Sequence, residues 1–146
     1  MDVLKVKKVR EGAKLPVQAT GGAAGFDVCA CIDEKIVMAP GGRALVPTGI
    51  SIEVPYGCAA FCFARSGLAI KHGICLSNGV GVIDSDYRGE VMVGLVNLGS
   101  EEYVLEPGER MAQIAIMEHK NFEIQEADDL SETERGKGGF GSTGRN

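Results

Sequence analysis

A chain of 146 residues and 15.4 kDa is the size of one domain, able to bury roughly two-thirds of its unfolded surface around a single core. With 45% hydrophobic and 24% charged residues, it has the composition of a folded soluble protein and not of a disordered one. A net charge of −5 excludes the basic face of a general nucleic-acid or anionic-membrane binder, yet leaves room for local binding of a small polyanion.

The N-terminal MDVLKVKKVREG lacks an apolar signal region, and no later apolar run reaches membrane length, so a cytoplasmic protein without nucleic-acid or membrane partners is expected. Downstream, the apolar segments are short and punctuated. EKIVM precedes APGG, GISIEV precedes PYG, CAAFCFA precedes RSG, and EVMVGLVNLG and EYVLEPGE follow. Runs of roughly four to eight residues, broken by Gly or Pro about every 8–12 residues, predict an all-β sandwich or barrel. Only Ser66–Gly73, SGLAIKHG, offers a short helix. RMAQIAIMEH has helical propensity, but its near-continuous apolar run after EPGE is assigned to a buried strand.

QEADDLSETERG is acidic, has no hydrophobic period and reads as a linker. The expected organisation is a β-rich core over 1–126, an acidic linker over 127–134 and a Gly-rich arm over 135–146. The edges of so short a β domain need protection, by a jelly-roll arrangement or by oligomerisation. Cys29, Cys31, Cys58, Cys62 and Cys75 contain no C-x-x-C pair, and His72 and His119 lack zinc-finger spacing. Small buried thiols in a reducing compartment are expected.

Three stretches carry chemistry. In FARSGLAIKHG, Arg65, Ser66 and Gly67 fall where a strand turns into a helix, and free amides, a hydroxyl and a guanidinium there make a phosphate cradle. Ser66 reads equally well as a plain helix N-cap. In SNGVGVIDSDYRGE, the spacing predicts a β-hairpin with strands at Val80–Ile83 and from Val91. Asp84 follows three apolar strand residues, which would desolvate it at the mouth of the core and suit it to act as a general base or metal ligand. The plainer alternative is a solvated turn. In RGKGGFGSTGRN, Gly136, Gly138 and Gly141 spell G-x-G-x-x-G, but only five residues follow Gly141, too few for the helix a dinucleotide turn requires. Phe140, set among cations and hydroxyls, separates this tail from a purely solvating one.

Taken in order, AAGFDVCA (Ala23–Ala30), ARSGLAIKHG (Ala64–Gly73), NGVGVIDSDYRGE (Asn78–Glu90), GERMAQIAI (Gly108–Ile116) and RGKGGFGSTG (Arg135–Gly144) resemble the five motifs of the trimeric dUTP pyrophosphatases, the dUTPases. Ala64 stands where Pro is common, and Val28 where Leu is usual. The resemblance implies a jelly-roll-like β fold with one short helix and a flexible C-terminal arm, assembled as a homotrimer whose active sites lie between subunits. It also implies hydrolysis of dUTP to dUMP and pyrophosphate with Mg2+, which keeps uracil out of DNA and supplies dUMP for dTMP synthesis.

Residue by residue, the resemblance assigns Asp84 as the base for the attacking water. Arg65, Ser66, Gly67 and Gln113 become phosphate contacts. Asn78, with the main chain of Val82 and Ile83, binds uracil, and Tyr87 packs under the deoxyribose. Met92 adds a main-chain contact, and Asp27 reaches the metal through bound water. In the tail, Arg135, Ser142 and Thr143 contact the outer phosphates, Gly141 lets the backbone approach them, and Phe140 covers the uracil. Two rivals remain: a dCTP deaminase, which would need an acid where this chain has Gly94–Leu95–Val96–Asn97, and a catalytically inert trimeric β module.

Overall fold

The computed structural model describes residues 3–139. In chain order the elements are β1 (Lys5–Lys8), β2 (Phe26–Cys29), β3 (Ile36–Met38), β4 (Arg43–Pro47), β5 (Ile50–Glu53) and β6 (Cys58–Ala64). The short helix α1 (Ser66–His72) follows, then β7 (Ile74–Leu76), β8 (Gly81–Ile83), β9 (Met92–Asn97), β10 (Tyr103–Leu105) and β11 (Arg110–Glu118). All strand pairs are antiparallel. They form a four-stranded sheet in the order β2-β11-β6-β8, a three-stranded sheet β4-β9-β7, and the pairs β1-β5 and β3-β10. This is the all-β architecture that the punctuated apolar runs predict, in the jelly-roll-like form with one short helix that the resemblance implies. Among the described residues no helix is long and apolar enough to cross a membrane.

RMAQIAIMEH forms β11 as expected. Met111, Ala112 and Ile114 are fully buried, and the strand has neighbours on both sides. Such a position suits a near-continuous apolar run better than an alternating one. Helix α1 ends at Gly73 in the left-handed region (φ 70°), whose N–H returns to the carbonyls of Leu68 and Ala69. A Cβ there would lie 2.3 Å from the Gly99 nitrogen, so only glycine allows the two backbones to meet.

Two expectations are corrected. Residues 77–90 do not form a hairpin: β8 pairs with β6, while β9 pairs with β4 and β7. The connection crosses from one sheet to the other because Val91 is clamped elsewhere. Its N–H donates to Ile50 O (2.8 Å), and its carbonyl accepts from Thr48 Oγ1 (2.6 Å). The cysteines are not all core residues either. Cys62 is buried, but Cys29, Cys31, Cys58 and Cys75 are only partly so, and all five are free thiols. Strand alternation explains Cys29, because Val28 takes the inward position next to it.

One core cluster draws from every sheet, with Val46, Ala60, Leu105 and Ile114 among its least exposed members. Among the described residues Asn97, at 0% exposure, is the most completely buried polar residue. Its amide nitrogen donates to Met38 O and Glu101 O (both 2.8 Å), and its Oδ1 accepts from Gly99 N–H (2.9 Å). One side chain thereby ties β3, β9 and the loop beyond β9 together. Asn97→Ala would leave buried partners unpaired and should lower unfolding stability by about 3 kcal/mol. Urea denaturation measures this directly, and a loss below about 1 kcal/mol would contradict the account.

Candidate active site

The charged side chains gather where β6 runs into α1. On β11, Gln113 sits opposite Asp27 of β2 on one side and Phe63 of β6 on the other. A register shift between Arg110 and Ala112 places Arg110 opposite Cys29, two residues along from Asp27. Without that bulge, the period of two would turn Arg110 to the other face of the sheet from Gln113. With it, both side chains reach the same place. Arg110 Nη1 donates to Asp27 Oδ2 and Arg65 Nε to Asp27 Oδ1, each at 3.1 Å, and Arg65 Nη1 also donates to Arg110 O (3.1 Å). The Asp27 carboxylate, 12% exposed, therefore orients two guanidinium groups at once.

Gln113 Nε2 donates to Ala64 O (3.0 Å), which fixes the amide beside the start of α1. A Cβ on Gly25 would fall 2.6 Å from Gln113 Oε1, so that glycine makes the room for it. The N-cap of α1 is Arg65, in extended conformation and without a side-chain cap bond. The N-cap role for Ser66 is thus corrected: Ser66 is the first helical residue, and it and Gly67 are exposed.

A second group forms around β8, the edge strand of the four-stranded sheet. Asn78 lies in the turn from β7 to β8 and lines a cavity of about 140 Å³ together with Cys62, Leu76 and Gly81. Val82, Ile83, Val91 and Met92 are common to this cavity and to one of about 210 Å³ that also contains Asp84, Tyr87 and Glu90. Neither cavity includes Asp27, Arg65, Ser66, Gly67 or Gln113. Across the order β2-β11-β6-β8, Asp27 and Ile83 lie three strand spacings apart, about 14 Å sideways, and are also offset along the strands, because Asp27 lines up with Phe63 of β6 and Ile83 with Ala60.

Tyr87 is held at both ends: its N–H donates to Asp84 O (3.2 Å) and its phenol to Glu90 O (2.9 Å). The ring lies against Gly89, where a Cβ would come within 2.4 Å of the phenol oxygen. Asp84 and Val82 are exposed in the single chain, which corrects the expectation of a desolvated carboxylate. The segment after Ile83 leaves the four-stranded sheet on its way to the other sheet, and among the described residues Asp84 stays exposed.

Arg135 sits in an exposed turn at 134–137, its Nε donating to Gly138 O (2.9 Å). Phe140, Gly141, Ser142 and Thr143 lie outside the described residues. Arg110, Glu90, Gly25 and Gly89 were not singled out from sequence. Arg110 was visible at the head of the fourth motif, but the bulge that turns it toward Asp27 leaves no local sign. Behind the smaller cavity, burial pushes the Cys62 thiol up to about 11.

A family model described as dUTPase matches residues 11–144. The deoxyuridine 5'-triphosphate nucleotidohydrolase of Desulfitobacterium hafniense (strain DSM 10664 / DCB-2) is 50% identical over 149 residues, covering 99% of both chains. That of Hydrogenobaculum sp. (strain Y04AAS1) is 51% identical over 141 residues, covering 97% of both. Among solved structures, the Staphylococcus bacteriophage 80alpha dUTPase with dUPNHPP superimposes with a TM-score of 0.89 at 25% identity, covering 99% of each chain.

The Cys62 environment is open to test by alkylation at pH 8. Iodoacetamide should label Cys62 in the folded protein roughly 100-fold or more slowly than in urea, because so little thiolate is present. Residue-resolved mass spectrometry would refute the account by finding Cys62 labelled as fast as Cys58 or Cys75.

Proposed function

Because the chain belongs to the dUTPase family, a family of dUTP diphosphatases, we propose that it hydrolyses dUTP to dUMP and pyrophosphate with Asp84 as the base. The observation that carries this reading is the joint placement of Tyr87, Asp84 and the β8 backbone around one cavity. As an edge strand, β8 keeps one row of main-chain N–H and C=O groups outside the sheet. Those groups at Val82 and Ile83, with Asn78, would pair with the uracil edge. A cytosine in the same place would leave polar groups unpaired, which supports discrimination of roughly 10⁴-fold or more.

Tyr87, pinned over Gly89, then packs under the sugar and leaves no room for a 2′-hydroxyl, while Met92 contributes a main-chain contact. Asp84 removes a proton from the water that attacks the α-phosphorus. Arg65, Ser66, Gly67 and Gln113 hold the phosphates. The separation between these residues and the Asp84 cavity supports a homotrimer in which different subunits supply the two halves. The exposure of Asp84 among the described residues points the same way, since a neighbouring subunit would supply cover for it. In the arm, Arg135, Ser142 and Thr143 would bind the outer phosphates, Gly141 would admit them closely and Phe140 would cover the uracil. Location in the cytoplasm, exclusion of uracil from DNA and supply of dUMP for dTMP synthesis belong to the same proposal.

Magnesium fits the residues present, but not as an ion caged by the protein. Among the described residues no group of three or more His, Cys, Asp or Glu could hold a metal, and each Asp27 oxygen already accepts from an arginine. Mg2+ commonly keeps several waters and takes substrate phosphates as ligands. Asp27 would thus reach it through water, and the bound ion would neutralise charge on the triphosphate. A deaminase reading has no acid on β9, where Asn97 is buried and spent on structural hydrogen bonds.

Pyrophosphate release from dUTP, compared with UTP, dCTP and dTTP, tests the reading as a whole; ammonia from dCTP would overturn it. Asp84→Asn should retain fold and nucleotide binding while turnover falls by ~10²–10⁴-fold. Unchanged turnover in that variant would remove Asp84 from its role. Truncation before Arg135 should leave a folded oligomer with badly impaired turnover, and full activity of that protein would overturn the closing-arm assignment.

A further inference from the structure

Arg10 lies just outside the family-model match and outside all five motifs. Its Nε nevertheless donates to Glu90 Oε1 at 2.6 Å, and the Gly49 N–H donates to the same oxygen at 2.9 Å. The Val9 N–H donates to Gly49 O (2.8 Å), so the residue before Arg10 is tied to the same glycine whose N–H holds Glu90. Gly49 adopts φ 70°, and a Cβ there would lie 2.6 Å from Cys31 Sγ and 2.7 Å from Ala13 Cβ, which fixes its backbone in place. Glu90 is only 18% exposed on its side chain, whereas Arg10 is half-exposed. The bond from Arg10 is the main cause that holds the Glu90 carboxyl below its usual range, so it stays ionised.

Glu90 presents its two ends to different partners. Its carboxylate faces Arg10 and Gly49, while its main-chain carbonyl accepts the Tyr87 phenol. The next residue, Val91, is clamped to Thr48 and Ile50. Arg88, on the loop itself, donates to Ser85 O and Tyr87 O and so does not replace Arg10. The orientation of the Glu90 peptide, and with it the acceptor for Tyr87, therefore depends on the grip on the Glu90 side chain.

We propose that Arg10 is a positioning residue for sugar discrimination: it fixes Glu90 and, through the Glu90 carbonyl, holds Tyr87 in the pose that rejects a 2′-hydroxyl. The proposal rests on the reading above that Tyr87 packs under the deoxyribose. Arg10 touches no substrate. Its contribution is to selectivity, leaving the chemical step with Asp84.

The test compares kcat and KM for dUTP and UTP in the wild type, Arg10→Met, Glu90→Gln and the double variant, with thermal unfolding of each. Arg10→Met keeps the aliphatic stem and removes the guanidinium, and it should lower the dUTP-to-UTP ratio of kcat/KM about fivefold, the size expected for a half-exposed charge-assisted pair. The change should appear in KM for dUTP and in gained UTP turnover, with kcat for dUTP within about twofold of wild type. In the Glu90→Gln background, which keeps the acceptor oxygen but removes the charge, Arg10→Met should change the ratio by less than it does in the wild type. Arg10→Lys should recover part of the ratio. An Arg10→Met protein with an unchanged ratio overturns the proposal, as does one that loses kcat equally for both substrates. If instead Tyr87→Ala remains as selective as wild type, the reading of Tyr87 itself fails and takes this proposal with it. A selective wild type, an unselective Tyr87→Ala and a selective Arg10→Met together overturn the link through Arg10 alone.

Discussion

The charged half of the site depends on β11 having a neighbour on each side. Asp27 comes from β2 and Arg65 from the end of β6, strands that do not pair with each other. They meet because β11 lies between them and carries Gln113 and Arg110 to the same region. A single extra residue in β11 decides whether Arg110 joins them, since a shift of one position exchanges the faces of a strand. The assembly of the cluster proposed to hold phosphates therefore depends on where one irregularity falls in one ladder. The strand is anchored for that task by Ala112 and Ile114, which are fully buried.

The other half depends on a crossing between sheets. Between Ile83 and Met92 the chain leaves the four-stranded sheet and enters the three-stranded one, and that crossing forms the loop that bears Asp84 and Tyr87. Main-chain bonds at Val91 and the absence of side chains at Gly49 and Gly89 fix its path. The loop owes little to hydrophobic burial, and its functional side chains stand on the surface of the single chain. Buried polar groups do comparable work deeper in the fold, where Asn97 joins segments that share no strand pairing.

The architecture was legible where local chemistry controls it. Short apolar runs with Gly and Pro between them identify β6, β9, β10 and β11, and SGLAIKHG followed by glycine identifies α1. The candidate residues could be named because five motifs occur in order, each with polar groups in a fixed local arrangement. Partner choice between strands was less accessible. Val80–Ile83 and the strand after it are close in sequence and separated by turn residues, which is the usual signature of a hairpin. Long-range hydrogen bonds, from Thr48 to the Val91 carbonyl and from the Val91 N–H to Ile50, override that signature, and nothing near residue 84 announces them. Arg10 and Arg110 were missed for the same reason, because their partners are Glu90 and Asp27, far along the chain. Burial of cysteines was misjudged because composition does not reveal which of two adjacent strand residues faces inward.

The immobilised Tyr87 has a thermodynamic consequence for any ligand that rests on it. Its ring is fixed from above by the Glu90 carbonyl and from below by the space at Gly89, before anything binds. Immobilising a rotamer-rich side chain at an interface costs about 0.5–1.5 kcal/mol, and here folding has already met that cost. Association at this surface should thus carry little side-chain entropy loss from the protein. Under the proposed role of Tyr87, a sugar that fits would gain the full contact, while one that does not would meet a wall that cannot yield. Selectivity by such a surface comes from stiffness, a property stored in the folding equilibrium and released unchanged at each binding event.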